Sequence, residues 1–147
     1  MTRVDFYQLS RDPVDVTVAK LARKVMQAGE RLLVVAADEA LRVRLSNMLW
    51  EQGGAAFLAN GAADGPHAAR QPILLSDACS ALNEARMVIL ADGAWREEAS
   101  SFDRAMLLFD AEATDAARGL WRDLAARDDI DNRIFKQTPE GGWREGR

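Results

Sequence analysis

Two short, unbroken apolar runs constrain this chain more than any other feature. Leu32-Leu33-Val34-Val35-Ala36 follows Arg31 without a polar interruption, and Met87-Val88-Ile89-Leu90 repeats the pattern. A strand with one wet face alternates apolar and polar residues. A run with no polar position suits a strand covered on both faces, which is the setting of a parallel sheet. Helical periodicity lies between such runs. Val14, Val18, Leu21 and Val25 recur at spacings of four, three and four, which places them on one helix face. Asp12-Pro13 predicts an N-cap followed by proline at the first helical position, and Gly29 predicts the end of that helix. Asp38 predicts the cap of a second helix with Leu41, Leu45, Met48 and Leu49 facing inward, stopped by Gly53-Gly54.

The remaining elements follow the same logic. Val4-Asp5-Phe6-Tyr7-Gln8-Leu9 reads as a first strand from its β-branched and aromatic content. Ala56-Phe57-Leu58-Ala59 reads as a short strand, Asn60-Gly61 and Gly65-Pro66 as turns, and Ile73-Leu74-Leu75 as another short strand. Residues 77–84 are expected to be helical and 92–101 to be loop. Arg104-Ala105-Met106-Leu107-Leu108-Phe109 suits either strand or helix and is taken as strand. A last helix is expected from Glu112 to about Ala126, with Ala113, Ala117, Leu120, Trp121 and Leu124 on one side. Arg133-Ile134-Phe135-Lys136-Gln137 reads as a strand that turns at Pro139-Glu140-Gly141-Gly142 and returns through Trp143-Arg144 as a hairpin. Strands alternating with helices predict an α/β chain, a three-layer α/β/α arrangement around a mostly parallel sheet.

The chain is 147 residues long, 48% hydrophobic and 29% charged, which fits one domain with a full core. Cys79 is the single cysteine, so neither an intramolecular disulfide nor a multi-cysteine metal site is available. His67 is the single histidine, which removes histidine-cluster metal sites. Its place in Gly65-Pro66-His67-Ala68 suits an exposed loop histidine, and Cys79 reads as a small packed residue. The net charge of −4 opposes a protein that coats nucleic acid through its bulk field. No apolar run approaches the ~18–20 residues that cross a bilayer, and no signal-peptide pattern opens the chain, so a cytoplasmic protein is expected.

A parallel sheet invites a nucleotide at the carboxyl ends of its strands. The residues there discourage it. Neither phosphate-cradling glycine motif is present, and the turn after the strand at 31–36 is Ala37-Asp38-Glu39, whose carboxylates repel phosphate. The layout is therefore Rossmann-like without a nucleotide-binding motif. Asp38, Glu39 and Asp92, with Lys136 on a late strand, motivate a second reading as a phospho-receiver-like signalling domain that holds a divalent cation. Against it, the Asp38 strand comes second and the lysine lacks an adjacent proline. Asp128-Asp129-Ile130-Asp131 reads as a solvated acidic helix end. No catalytic constellation, cofactor or metal is expected. The most suggestive group is Arg118, Trp121 and Arg122, which lie at i, i+3 and i+4 and share one helix face. Two guanidinium groups beside an indole suit an acidic, aromatic peptide. By spacing alone, a core tryptophan flanked by solvated arginines is the favoured account.

The chain also resembles the chi subunit family of bacterial DNA polymerase III. The resemblance rests on Phe6-Tyr7-Gln8-Leu9, on Ala28-Gly29-Glu30-Arg31-Leu32-Leu33-Val34, and on Asp38-Glu39-Ala40 with Leu49-Trp50 and Phe57-Leu58. It continues through Gln71-Pro72-Ile73-Leu74-Leu75-Ser76 and Leu108-Phe109-Asp110. It ends with Ala116-Ala117-Arg118, Trp121-Arg122 and Gln137-Thr138-Pro139-Glu140-Gly141-Gly142-Trp143. It implies a single chi-like domain over residues 1–147 and a non-catalytic accessory subunit of the replisome. Such a subunit links the clamp loader to single-stranded DNA-binding protein, SSB, by holding that protein's acidic C-terminal tail, which ends in a phenylalanine carboxylate. The tail-binding arginine falls on Arg118, the neighbouring aromatic on Trp121 and the next basic position on Arg122. An exposed phenylalanine used for partner contacts falls on Phe57, for which a core role is the alternative. The implied partners are the SSB tail and the clamp loader, the latter through a psi subunit where one is present, with DNA met only indirectly. Two departures stand out. The segment Asp110-Ala111-Glu112-Ala113-Thr114-Asp115 is shorter than the family's usual connection, and Thr114 stands where a basic residue often begins the helix. Both imply a shallower tail pocket.

Overall fold

The computed structural model describes residues 1–53 and 58–146. The strands are β1 (Thr2–Gln8), β2 (Leu32–Val35), β3 (Asn60–Ala62), β4 (Ile73–Ser76), β5 (Met87–Leu90), β6 (Arg104–Phe109), β7 (Ile130–Gln137) and β8 (Trp143–Glu145). The helices are α1 (Val14–Gln27), α2 (Glu39–Gly53) and α3 (Thr114–Ala125). All the strands join one sheet in the order β3-β4-β2-β5-β6-β1-β7-β8. Every pairing is parallel except β7 with β8. The mostly parallel sheet expected from the two apolar runs is therefore present. All four residues of β2 are buried, and it lies between β4 and β5, deep in the sheet.

Side chains alternate across the strands, so each strand feeds two cores. Leu32 and Val34 of β2 and Ile89 of β5 pack against Val18, Leu21, Ala22 and Val25 of α1 and Leu45 and Leu49 of α2. Leu33 and Val35, with Val88, Leu90, Phe6 and Leu107, face the other way toward Ala117 and Leu124 of α3. The result is the three-layer α/β/α arrangement, with α1 and α2 on one face and α3 on the other. The helix ends show the expected chemistry in part. Gly29 has φ +77°; its N–H bonds the Met26 carbonyl while the Glu30 N–H reaches Val25, a closure that a left-handed residue permits. Asp38 caps α2 by accepting the Ala40 N–H at 3.1 Å.

Several local expectations give way to side-chain hydrogen bonding. Asp12 does not cap α1, because its carboxylate takes the Lys20 ammonium at 2.6 Å and the Gln137 amide at 3.0 Å. The Gln137 Oε1 in turn accepts the backbone N–H groups of Arg11 and Asp12, so this turn is tied to the end of β7. Residues 77–84 are not helical. Buried Asn83 there donates to the carbonyls of Gln71 and Leu32, and Glu84 adopts φ +61°; such side-chain bonding to the main chain competes with a helix. Asn60-Gly61 lies in β3 rather than a turn, and Asn60 is held there by the Ser46 hydroxyl at 2.6 Å. Of the strand expected at 56–59, Leu58 and Ala59 precede β3, while Ala56 and Phe57 lie outside the described residues. A 3-10 turn, Glu97–Ser101, interrupts the expected loop at 92–101. Strand β7 starts at Ile130, so Asp131 belongs to the sheet rather than to a helix end.

Candidate functional site

Helix α3 carries the chain from β6 to β7, which flank β1 in the sheet. A cleft therefore forms at the carboxyl ends of these strands beneath the start of α3, with a volume of about 330 Å³. The registers Gln8 with Phe109 and Gln8 with Lys136 bring the strand ends level. Phe6, Phe109 and Ile134 form its apolar floor. Thr114, Ala117, Arg118 and Trp121 of α3 form one side, and Gln8 and Lys136 complete the rim. Trp121 is fixed by an edge-on contact with Phe6, ring centroids 5.1 Å apart. Phe6 also meets Phe109 edge-on at 6.5 Å. The floor is thus aromatic and fixed in place, with Phe6 and Phe109 buried and Trp121 the ring left partly accessible.

The cations at this cleft are available. The Arg118 side chain is 72% exposed, and its ion pair with Asp115 is long, 3.9 Å, between two solvated groups. Such a pair holds neither partner firmly. Lys136 is exposed. Arg118 and Trp121 are therefore brought together as the spacing suggested. Arg122 is exposed but does not line the cleft. Arg133 does not join it either; it pairs with Asp131 at 3.3 Å, since odd-numbered residues of β7 face away from α3. Lys136 points the useful way because it shares the parity of Ile134. Gln8 and Phe109 also line the cleft without having been singled out for it by the sequence, whereas Thr114 stands at the helix start that the resemblance marks. Strand alternation gives a signal for the first, since Phe6 and Gln8 share a face.

Two of the three carboxylates of the receiver reading, Asp38 and Asp92, are committed elsewhere, and Glu39 is exposed. Asp38 is a helix cap. Asp92 accepts Arg96 through both oxygens, at 2.7 and 2.9 Å, and the backbone N–H groups of Ala37 and Ala94. Burial raises the Asp92 carboxyl, but these bonds outweigh it and hold the group below its ordinary value. Arg42 bonds the carbonyls of Ala36 and Ala37, which puts a further cation beside the same strand ends. Among the described residues no three His, Cys, Asp or Glu side chains are grouped to hold a metal ion. His67 is exposed. Cys79 is buried, and burial pushes its thiol up to about 11, the behaviour of a packed residue rather than a nucleophile. Phe57 lies outside the described residues, but the helix that leads toward it exposes Val43 and Trp50, at 54% and 47%.

Fold and cleft together define an α/β sheet protein that carries cations and aromatic rings at strand ends where nucleotide-binding proteins of this layout carry a glycine cradle. The chain belongs to the DNA polymerase III chi subunit family, HolC, whose family model matches residues 1–129. It is thus an accessory subunit of the replicative polymerase. No curated protein matches the chain. Among the described residues no helix is long and apolar enough to cross a membrane.

Proposed function

We propose that this subunit is a non-catalytic adaptor of the replisome, in the cytoplasm, linking the clamp loader to SSB by holding the acidic SSB tail in the α3 cleft. The observation that carries this reading is the combination at one opening of Arg118, Lys136 and Trp121 over a floor of Phe6 and Phe109. A terminal phenylalanine ring fits the aromatic floor. Its carboxylate then meets Arg118 or Lys136, and the N-terminal end of α3 adds a favourable field. Arg122, one turn along, acts on acidic residues earlier in the tail. Thr114 offers a hydroxyl at the helix start, which makes the grip weaker than a second cation there would. A single tail then binds in the micromolar range, about −8 kcal/mol. Several tails on one SSB assembly raise the effective affinity without new contacts.

The clamp-loader side of the adaptor is assigned to the Phe57 region, through a psi subunit where one is present. The exposed Val43 and Trp50 on the helix before it support a partner-facing surface there. In this adaptor role DNA is met through SSB, consistent with the net charge of −4. The test is calorimetric titration with a synthetic acidic peptide ending in phenylalanine. Micromolar binding that falls at least tenfold in Arg118→Ala, less in Arg122→Ala, and weakens with salt is expected. Amidation of the peptide's last carboxylate should also weaken it. Binding that ignores Arg118→Ala and amidation would move the tail elsewhere on the molecule.

A further inference from the structure

A second cleft, of about 300 Å³, opens on the opposite face of the sheet near the amino ends of β1, β5 and β6. Its floor is apolar, made by Leu21 and Val25 of α1 with Met87 and Met106. Tyr7, Phe135 and Trp143 wall one side; Tyr7 stacks on Phe135 at 5.0 Å and meets Trp143 edge-on at 5.0 Å. Three cations line it: Arg3, Lys24 and Arg104.

These arginines are braced from beneath. Asp5 is fully buried, and its two oxygens accept Arg3 Nε at 2.8 Å and Arg104 Nε at 2.6 Å. Arg104 also donates to the Tyr7 hydroxyl at 2.8 Å. Arg3 further lies over the Phe135 ring, 5.9 Å from its centre. One carboxylate is enough to neutralise one guanidinium, so a second charge is left over. The described residues give Nη1 and Nη2 of Arg3 and Nη1 of Arg104 no hydrogen bond, and they give Lys24 no ion pair. The lining carries three positive charges above the single negative charge of Asp5, an excess of two. Glu145, opposite Phe135 on β8, is exposed and outside the lining, and its charge acts on Arg3 from the edge of the cleft.

An excess of two positive charges, presented by planar forks beside an apolar floor, complements one anionic class best. A carboxylate carries one charge; a phosphate monoester carries about two at neutral pH and accepts several N–H bonds at once. We infer that the Arg3–Lys24–Arg104 cleft binds a phosphate monoester on a flat, largely apolar body, in size and chemistry a nucleoside monophosphate. The phosphate sits on the arginines and the ring system lies over Met87 and Met106. The volume admits one such unit, at the lower limit of small-molecule pockets. The same group occurs free or as the phosphorylated end of a strand. This site is independent of the α3 cleft, and neither depends on the other being correct.

The experiment is titration of the protein with deoxyadenosine monophosphate, inorganic phosphate, deoxyadenosine, and a short DNA strand with and without a terminal phosphate. Calorimetry gives affinity and amide NMR gives location. Submillimolar binding of the monophosphate or the phosphorylated strand is expected, with shifts at Val25, Ala28 and Met87. Whichever of the two binds identifies the source. Lys24→Gln, an exposed change that leaves the Asp5 clamp intact, should weaken binding about tenfold, and Arg3→Lys should weaken it while keeping a cation on Asp5. Arg118→Ala should leave it unchanged. Failure of both phosphorylated ligands to bind, inorganic phosphate binding as tightly as they do, or shifts confined to Ala117 and Trp121 would each overturn the assignment.

Discussion

The two clefts set cations beside aromatic rings in opposite ways. At the α3 cleft the rings are fixed and the charges are loose: Trp121 is held on Phe6, while Arg118 is 72% exposed with only a 3.9 Å contact to Asp115. At the opposite cleft the two arginines are fixed as well, because buried Asp5 holds Arg3 and Arg104 at 2.8 and 2.6 Å. Loose solvated arginines contribute little to stability and can follow a flexible peptide. Braced arginines contribute to stability and present one geometry. The difference teaches that similar residue types serve an adaptable or a preorganised surface according to what lies beneath them.

The largest expected effect concerns that bracing. Asp5→Ala strands two guanidinium groups at the edge of the core. Breaking a buried pair costs about 3–5 kcal/mol, and because both arginines keep some access to water the lower end applies, about 3 kcal/mol. Urea denaturation measures it directly. A loss under about 1 kcal/mol would put Asp5 on a par with surface carboxylates and erase the contrast between the clefts.

A smaller effect separates the clefts by pH. Tyr7 is the single tyrosine, so its ionisation can be followed alone by ultraviolet absorbance. Burial pushes its hydroxyl above the ordinary value of 10.0; Arg104 opposes the shift and Asp5 adds to it. The unfolded chain therefore loses the phenolic proton first. Its contribution to stability is complete below the unfolded value and falls as pH rises through that value toward the folded one. The folded protein should titrate late, and stability in urea should decline above pH ~10 more steeply than in Tyr7→Phe. An ordinary phenol titration would mean the aromatic wall is open to water.

How much of this was legible follows from range. The apolar runs at 32–36 and 87–90 announced a parallel sheet because their signal is local and the sheet is covered on both faces. Residues 77–84 misled because the hydrogen bonds of Asn83 run to Leu32 and Gln71, contacts that no local window contains. Asp12 misled in the same way, through Gln137. At the site, helical spacing brought out Arg118 and Trp121, while Lys136 needed the parity of β7 and its register against β1. The opposite cleft was invisible, since Asp5 and Arg104 meet only when β6 is paired with β1, and Lys24 joins them only when α1 covers that face.

The smallest effect on stability is also the most discriminating. Arg118→Ala removes a side chain with one long, solvated ion pair, so denaturation should change by no more than about 0.5 kcal/mol. Raising salt should likewise leave folding nearly unchanged while weakening tail binding, because the attraction there passes through water. Tail affinity and stability should thus be separable at Arg118, whereas at Arg104, whose donors hold both Asp5 and Tyr7, any loss of binding should come with a loss of stability. If Arg118→Ala proved as destabilising as Arg104→Ala, its solvated position would be misread and the α3 cleft would also be a braced one. Tail binding as insensitive to salt as folding would lead to the same conclusion, since buried charge resists screening.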